Sequence, residues 1–456
     1  MTRRRLIIGL LSGALIAPGA RAAERLDLQA VVQRALENNP DYLAIAERER
    51  ELAAQIDAAW ADAWPQFSLN GFWNRSRNPS LLNSPDFEDI IEQFPGFRPS
   101  VQELNGLNVE VSQLLYTFGK IRSGVELAER AVEAGKAQTQ TALLDTALTA
   151  AEAYFERLAA QEALITIDAQ RRARQESLDV VQARFDLGDA TRLELLQAQA
   201  ALAEVEPAVA AAEGRVAVAE STLESVLDLP SESEVEVVPP TSGLPAVPQM
   251  PPLLETALRS RSELADLARQ QEALELQKRV VKADGRPQLE LTGNYGRTVR
   301  ELENLDDPLF ADWQVNVGLS WSFFDGGRRA GEVAALSSQQ RQLALQTKAL
   351  ENRIRLEIEQ SWTGYRTERD RLRAAERSAE AAREATRVAR ESYEEGVSLQ
   401  ADLLAAQERE TEAEVARVEA YYGAWRQATR LVRATGMRPD GLGELGNGGT
   451  TPPVEE

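Results

Sequence analysis

The sequence predicts a mainly α-helical protein with a long helical coiled coil. It carries four β-strands per chain that form part of a membrane barrel closed by several copies. Three observations predict this class. Landmarks recur in the same order in two halves, the strands have one apolar and one polar face, and the helical stretches are too long for an ordinary globular domain.

The composition narrows the chemistry before any element is placed. The chain has 456 residues and a formal net charge of −21, from 51 Lys and Arg against 72 Asp and Glu, with no Cys and no His. Disulfides, thiolate nucleophiles, the usual general base and the usual zinc ligand are therefore excluded. The acidity argues against a nucleic-acid partner, which requires a basic face. The reading is of a non-enzyme, with no catalytic, cofactor-binding or metal-binding residue assigned.

Residues 1–22 read as a secretory signal peptide. Arg3, Arg4 and Arg5 form the positive start, Leu6–Ala17 the apolar stretch, and Ala20-Arg21-Ala22 the small-residue cleavage site. The apolar stretch is too short for a membrane-spanning helix, which needs roughly 20 residues. With no Cys after the cleavage site, a lipoprotein anchor is excluded. Elsewhere no run of apolar residues is long enough, so the mature chain is soluble or crosses a membrane by β-strands.

The rest of the chain is written twice. Asn39-Pro40-Asp41-Tyr42-Leu43-Ala44 precedes Arg261-Ser262-Glu263-Leu264-Ala265-Asp266 by 222 residues, and Pro65-Gln66-Phe67 precedes Pro287-Gln288-Leu289 by the same offset. Phe118-Gly119-Lys120 matches Asp325-Gly326-Gly327 at 207, and Phe185-Asp186-Leu187-Gly188 matches Tyr393-Glu394-Glu395-Gly396 at 208. The first repeat, 23–229, reads as helix, β-hairpin 66–117, long helix, tip at 188, helix. A linker with seven prolines covers 230–252. The second repeat, 253–437, has its hairpin at 288–324 and its tip at 396. The Gly- and Pro-rich tail 438–456 reads as disordered.

Each strand alternates. Phe67, Leu69 and Trp73 lie opposite Ser68 and Asn70, while Leu107, Val109 and Val111 lie opposite Asn108, Glu110 and Ser112. Leu289, Leu291 and Tyr295 alternate with Gln288, Glu290 and Asn294. Trp313, Val315, Val317, Leu319, Trp321 and Phe323 alternate with Gln314, Asn316, Ser320 and Ser322. One apolar face with aromatics at its ends suits a membrane barrel wall, the other reading being a sheet packed on one side in a soluble sandwich. Four strands cannot close a barrel, for which about eight are the minimum, so the strands predict a homo-oligomer.

The helices supply the length. No Pro interrupts Lys120–Asp186, a stretch that would reach about 100 Å as one helix. Leu144, Leu148, Ala151, Phe155, Leu158 and Ile165 recur at coiled-coil spacing, as do Ile354, Ile358, Trp362, Tyr365 and Leu372 in the second copy. Such aromatics read as core. Gly188 and Gly396 interrupt the helical pattern where a positive φ lets the chain reverse.

These features together resemble the TolC family of outer-membrane channel-tunnel proteins, over roughly residues 26–437. The most telling motifs are Gly326-Gly327-Arg328-Arg329, its partner Phe118-Gly119-Lys120, and the two tips. The resemblance implies a homotrimer with a 12-stranded barrel in the outer membrane of a Gram-negative bacterium and an α-helical barrel in the periplasm. Its partners would be outer-membrane lipid, a periplasmic adaptor (membrane fusion) protein and an inner-membrane efflux pump or ABC transporter. Surface loops would fall at 75–106 and 298–311, and the linker at the helical barrel's equator. Gly119, Gly326 and Gly327 would form the strand-to-helix turns, and Leu187, Gly188, Asp189, Ala190, Gly396, Val397 and Ser398 the adaptor contacts. Asp402, Tyr393 and Glu194 match the pore constriction, where converging acids would raise one another's pKa. The family's second entrance acid corresponds here to Ala405 and its locking basic residue to Ser398, leaving Arg192 as the nearby substitute.

The function implied is a passive exit duct for tripartite efflux or type I secretion. Two other classes compete: a soluble periplasmic coiled-coil scaffold or adaptor, and a secreted enzyme using carboxylates alone.

Overall fold

The computed structural model describes residues 24–76, 101–230 and 235–439. The expected signal peptide, the tail beyond residue 439 and the 77–100 part of the expected first surface loop lie outside the described residues. The first half runs β1 (Glu24–Leu26), α1 (Leu28–Asn38), α2 (Pro40–Ala61), β2 (Gln66–Ser76), β3 (Gln102–Tyr116), α3 (Lys120–Leu187) and α4 (Arg192–Val226). The second runs β4 (Val235–Val237), α5 (Met250–Ser260), α6 (Ser262–Ala283), β5 (Gln288–Val299), β6 (Ala311–Ser320), α7 (Arg328–Glu394) and α8 (Gln400–Ala434). Helices α3 and α7 have 68 and 67 residues, about 100 Å each. Among the described residues no helix is long and apolar enough to cross a membrane.

Several expectations are corrected. The single helix expected before each hairpin is two. A residue before proline is pushed out of the α region, and Asn39 accordingly takes φ −62°, ψ 117°. Its Oδ1 then accepts the N–H groups of Asp41 (3.1 Å) and Tyr42 (3.2 Å), restarting the helix. Arg261 breaks the second copy at φ −68°, ψ 117° without a proline. Its buried guanidinium pairs with Glu357 (2.8 Å) and donates to the Ala434 carbonyl (3.1 Å). The strands also reach into the segments expected as surface loops, since β2 runs to Ser76, β3 starts at Gln102 and β5 ends at Val299. Strand β6 stops at Ser320, so Trp321 and Phe323 lie beyond it.

The linker is not merely extended. Its β4 pairs in parallel with β1, Glu24 opposite Val235 and Leu26 opposite Val237, and residues 250–252 already belong to α5. Prolines lack an N–H, so this segment is held by its carbonyls. Tyr154 of α3 donates to Val238 O. From α7, Tyr365 donates to Pro245 O, Trp362 Nε1 to Pro248 O (2.8 Å) and Arg369 Nη1 to Leu244 O (3.1 Å). Burial pushes the phenols of Tyr154 and Tyr365 up from their ordinary pKa.

The chain divides into two compact units. One comprises residues 1–43, 142–261 and 353–456. Its core stacks Phe155 on Trp425 (centroids 5.5 Å apart), and Tyr154, Tyr422, Ile354, Ile358 and Leu431 are fully buried in the same unit. Truncating such an aromatic to Ala costs about 3–5 kcal/mol. Further along α3 the buried stripe moves to Ala160, Ile167, Arg174 and Val181, a seven-residue coiled-coil seam. Ile167 packs with Val205, Val209 and Ala212 of α4, and Ile165, expected in the stripe, is 55% exposed. Around Tyr154 and Phe155 the core covers several sides of the helix. Beyond it, the partner helices reset which side is buried.

The other unit comprises residues 44–141 and 262–352. Its antiparallel sheet has the order β2-β3-β5-β6, with a register shift between Leu114 and Tyr116. Arg130 and Glu133 of α3 interlock with Arg269 and Glu272 of α6 (Arg130–Glu133 2.7 Å, Arg269–Glu133 2.9 Å, Arg130–Glu272 3.3 Å). Nearby, Thr141 and Ser262 share a hydroxyl hydrogen bond of 2.8 Å. These contacts hold the helical segments that flank the sheet.

Candidate functional site

The register turns the alternation of each strand into two continuous faces. Phe67 lies opposite Val111, Leu69 opposite Val109, Val109 opposite Tyr295, Leu291 opposite Val317 and Tyr295 opposite Trp313. On this face Phe67, Leu69, Trp73, Val315, Val317 and Leu319 are each more than half exposed. From Leu289 to Tyr295 the face extends about 20 Å along the strand, about 14 Å of height at a tilt of about 45°, which fits within a membrane barrel's apolar band of about 25 Å. The other face is polar. There Asn108 bonds Asn294 (3.2 Å) and Asn70 bonds Glu110 (3.4 Å). Strands β2 and β6 each keep an unpaired edge among the described residues.

The strands end in turns at Gly119, Gly326 and Gly327, all at positive φ. Asp325 holds the second turn, its carboxylate accepting from the backbone N–H groups of Gly327 and Arg329 (3.1 Å each).

The two tips are built alike. After α3, Gly188 (φ +87°) donates to Phe185 O (3.0 Å) and Asp189 to Arg184 O (2.7 Å). After α7, Gly396 (φ +74°) donates to Tyr393 O (3.0 Å) and Val397 to Ser392 O (2.8 Å). Both are the left-handed glycine cap that closes a helix while satisfying its last carbonyls. Leu187 and Val397, each 79% exposed, are displayed at the two reversals, with Asp189, Ala190 and Ser398 in the connecting turns.

The three constriction candidates have separate partners. Glu194 stands at the third position of α4 and accepts the Thr191 N–H (2.6 Å), while Thr191 Oγ1 accepts the Glu194 N–H (3.2 Å). The Thr191 N–H holds the Glu194 carboxyl below its ordinary pKa. Within the chain this is opposite in direction to the rise expected from converging acids. Asp402, at the same position of α8, is exposed and accepts the Leu399 N–H (3.3 Å). Leucine offers no acceptor in return, so this cap is half of the first. Tyr393 receives Arg184, whose Nη1 lies 3.3 Å from the phenol oxygen and whose Cζ lies 5.9 Å from the ring centroid. Arg184 thus ties the tips together within the chain, a residue that the sequence reading did not single out. Its signal was faint: a basic residue in the last turn of a helix, where the macrodipole favours one.

In the same unit a 340 Å³ cleft is lined by Glu156, Arg215, Glu368, Arg371, Glu419 and Arg426 among others. Its acids face arginines: Glu156 pairs with Arg426, Glu368 with Arg371 (3.6 Å) and Glu419 with Arg215 (3.9 Å).

A family model described as outer membrane efflux protein matches residues 31–228 and 253–437, the two halves of the chain. The alkaline protease secretion protein AprF of Pseudomonas aeruginosa is 26% identical over 421 residues, covering 90% of this chain and 84% of that protein. Nodulation protein T of Rhizobium leguminosarum bv. trifolii is 23% identical, covering 83% and 79%. In fold the chain is similar to the Campylobacter jejuni CmeC outer membrane channel (TM-score 0.76, 17% identity, 92% of this chain and 89% of that one). It is likewise similar to the open state of the Neisseria gonorrhoeae MtrE outer membrane channel (TM-score 0.72, 20% identity, covering 90% and 89%).

Proposed function

The chain belongs to the outer membrane efflux protein family, and from that premise we propose that it works as a homotrimer, three four-stranded sheets closing one 12-stranded barrel. It is an outer-membrane efflux channel protein. The observation that carries the trimer is the sheet itself. It exposes a continuous apolar face, has two open edges, and is too small to close alone. In the trimer the apolar face would meet lipid and the polar face would line water. The helices of the three copies would form the periplasmic conduit.

In this reading the tips, Leu187–Ala190 and Gly396–Ser398, contact a periplasmic adaptor, which couples the duct to an inner-membrane efflux pump or ABC transporter. Energy comes from that transporter, and passage through the duct needs no catalysis. Asp402 would form an acidic ring at the entrance, with Glu194 and Tyr393 beside it, repelling anions and concentrating cations. A soluble scaffold would leave the exposed apolar sheet face in water.

The test is the mass of the detergent-extracted assembly together with planar-bilayer conductance of the same sample. Trimers forming cation-preferring channels are expected. A monomer that salt washes from the membrane, and that conducts nothing, would overturn the reading. Asp402→Ala should alter cation selectivity or block by multivalent cations, and unchanged conductance and block would remove Asp402 from the constriction.

A further inference from the structure

At the end of the sheet nearest the strand-to-helix turns, cations gather around the short connection from α6 to β5. The Arg286 guanidinium lies 5.7 Å above the ring centroid of Phe118. Arg329 packs so closely on Gly285 that a Cβ there would fall 1.4 Å from its Nη1, and it donates to Ser322 O (2.9 Å). Lys120 Nζ is 2.8 Å from Asp284. Aromatics frame the group. Tyr116 meets Phe118 edge-on at 4.7 Å, Trp321 donates to Gly285 O (3.0 Å), and Phe323 packs 5.9 Å from Trp321.

Of these cations, Lys120 and Arg329 have carboxylate partners in Asp284 and Asp325. Arg286 is exposed and has no acidic partner among the described residues. In a chain of net charge −21 such a cation, with a full set of N–H donors uncommitted, calls for an anion from outside. The placement of basic residues points the same way. Helices α3 and α7 start with Lys120 and with Arg328 and Arg329 and carry no acid in their first turns, against the preference of the helix dipole.

Depth identifies the anion. Arg286 lies in the bend that leads into β5, three residues before Leu289, the first apolar-face residue of that strand, and so at most about 10 Å of chain from it. At the usual tilt of about 45° that is at most about 7 Å along the membrane normal, which keeps Arg286 within the headgroup zone of roughly 5–8 Å on each side. Aromatic side chains favour the same depth.

We propose that Arg286, seated on Phe118 beside Lys120 and Arg329, binds the phosphate of an anionic phospholipid headgroup. The planar guanidinium matches two phosphate oxygens, and the ring beneath fixes its orientation. The neighbouring cations favour lipids of net negative charge over zwitterionic ones. This rests on the reading that the apolar sheet face meets lipid.

The experiment uses the full-length assembly in detergent, measuring binding of fluorescent phosphatidylglycerol, phosphatidylcholine of the same chains, and inorganic phosphate as competitor. Wild type is expected to prefer phosphatidylglycerol by about fivefold, the worth of one arginine near an anionic surface. Arg286→Ala should abolish the preference and Arg286→Lys keep part of it, while Arg75→Ala, toward the opposite end of β2, leaves it intact. Equal binding of both lipids by wild type, or an unchanged preference in Arg286→Ala at unchanged oligomer mass, overturns the proposal. Displacement of phosphatidylglycerol by millimolar inorganic phosphate would also overturn it, in favour of a soluble-anion site. An assembly that fails to enter vesicles of either lipid would instead refute the membrane reading itself.

Discussion

Placing one arginine on each of two consecutive residues of β6 separates lipid from water directly. Val315 lies opposite Gly293 on the apolar face, and Asn316 lies opposite Thr292 on the polar face. Both are exposed in the chain, so neither substitution creates a clash or a cavity. In water, each would shift stability by no more than about 0.5 kcal/mol. The apolar face runs from Trp313 to Leu319, which puts Val315 one residue from its middle. There a lipid-facing arginine costs about 2–4 kcal/mol, a loss of about 30-fold to about 700-fold in the folding equilibrium. Facing an aqueous lumen, Asn316→Arg should stay near wild type. The measurement is equilibrium refolding from urea into phospholipid vesicles, followed by tryptophan fluorescence and the mobility of the folded assembly on gels. If the two variants fold with stabilities within 0.5 kcal/mol of each other, the apolar face does not meet lipid and the barrel assignment falls.

Three further outcomes are expected. At Gly396 the φ of +74° is the whole constraint, because a Cβ would meet nothing within 4 Å. Gly396→Ala should therefore cost about 1–2 kcal/mol, and Gly396→Asn less, in thermal melts of the assembly. The Glu194 carboxyl is held below its ordinary 4.5 by the Thr191 N–H, so its contribution is fully present above that value and lost as pH falls through the lower folded pKa. Glu194→Gln should thus destabilise the tip helix at pH 7 and make no difference in strong acid, while Thr191→Ala should cost about 1 kcal/mol at neutral pH, both read by hydrogen exchange at the start of α4. In the linker, Trp362→Phe leaves the Pro248 carbonyl unserved and should cost about 1–3 kcal/mol in denaturant melts. Tyr365→Phe should cost less, since Arg369 still donates to Pro245 O (2.9 Å).

What the sequence by itself determined is what local rules govern. Alternation at period two assigned Phe67, Leu69, Val315 and Val317 to one face, because successive side chains of any strand point to opposite sides. Gly188 and Gly396 marked both tips, because only glycine readily takes the left-handed cap that ends a helix and reverses the chain. The doubled landmarks gave the element order, and the lack of Pro from Lys120 to Asp186 gave the length of α3. Tertiary structure alone decided which distant segments meet. It paired β1 with β4, strapped the proline-rich linker to Tyr154, Trp362 and Tyr365, moved the buried stripe of α3 from Ile165 to Ile167, and broke the helix at Arg261, whose buried guanidinium pairs with Glu357. It brought Arg184 to Tyr393 and set Arg286 on Phe118. Periodicity reports the face a residue occupies, whereas its partner depends on where another part of the chain arrives and how far each side chain reaches.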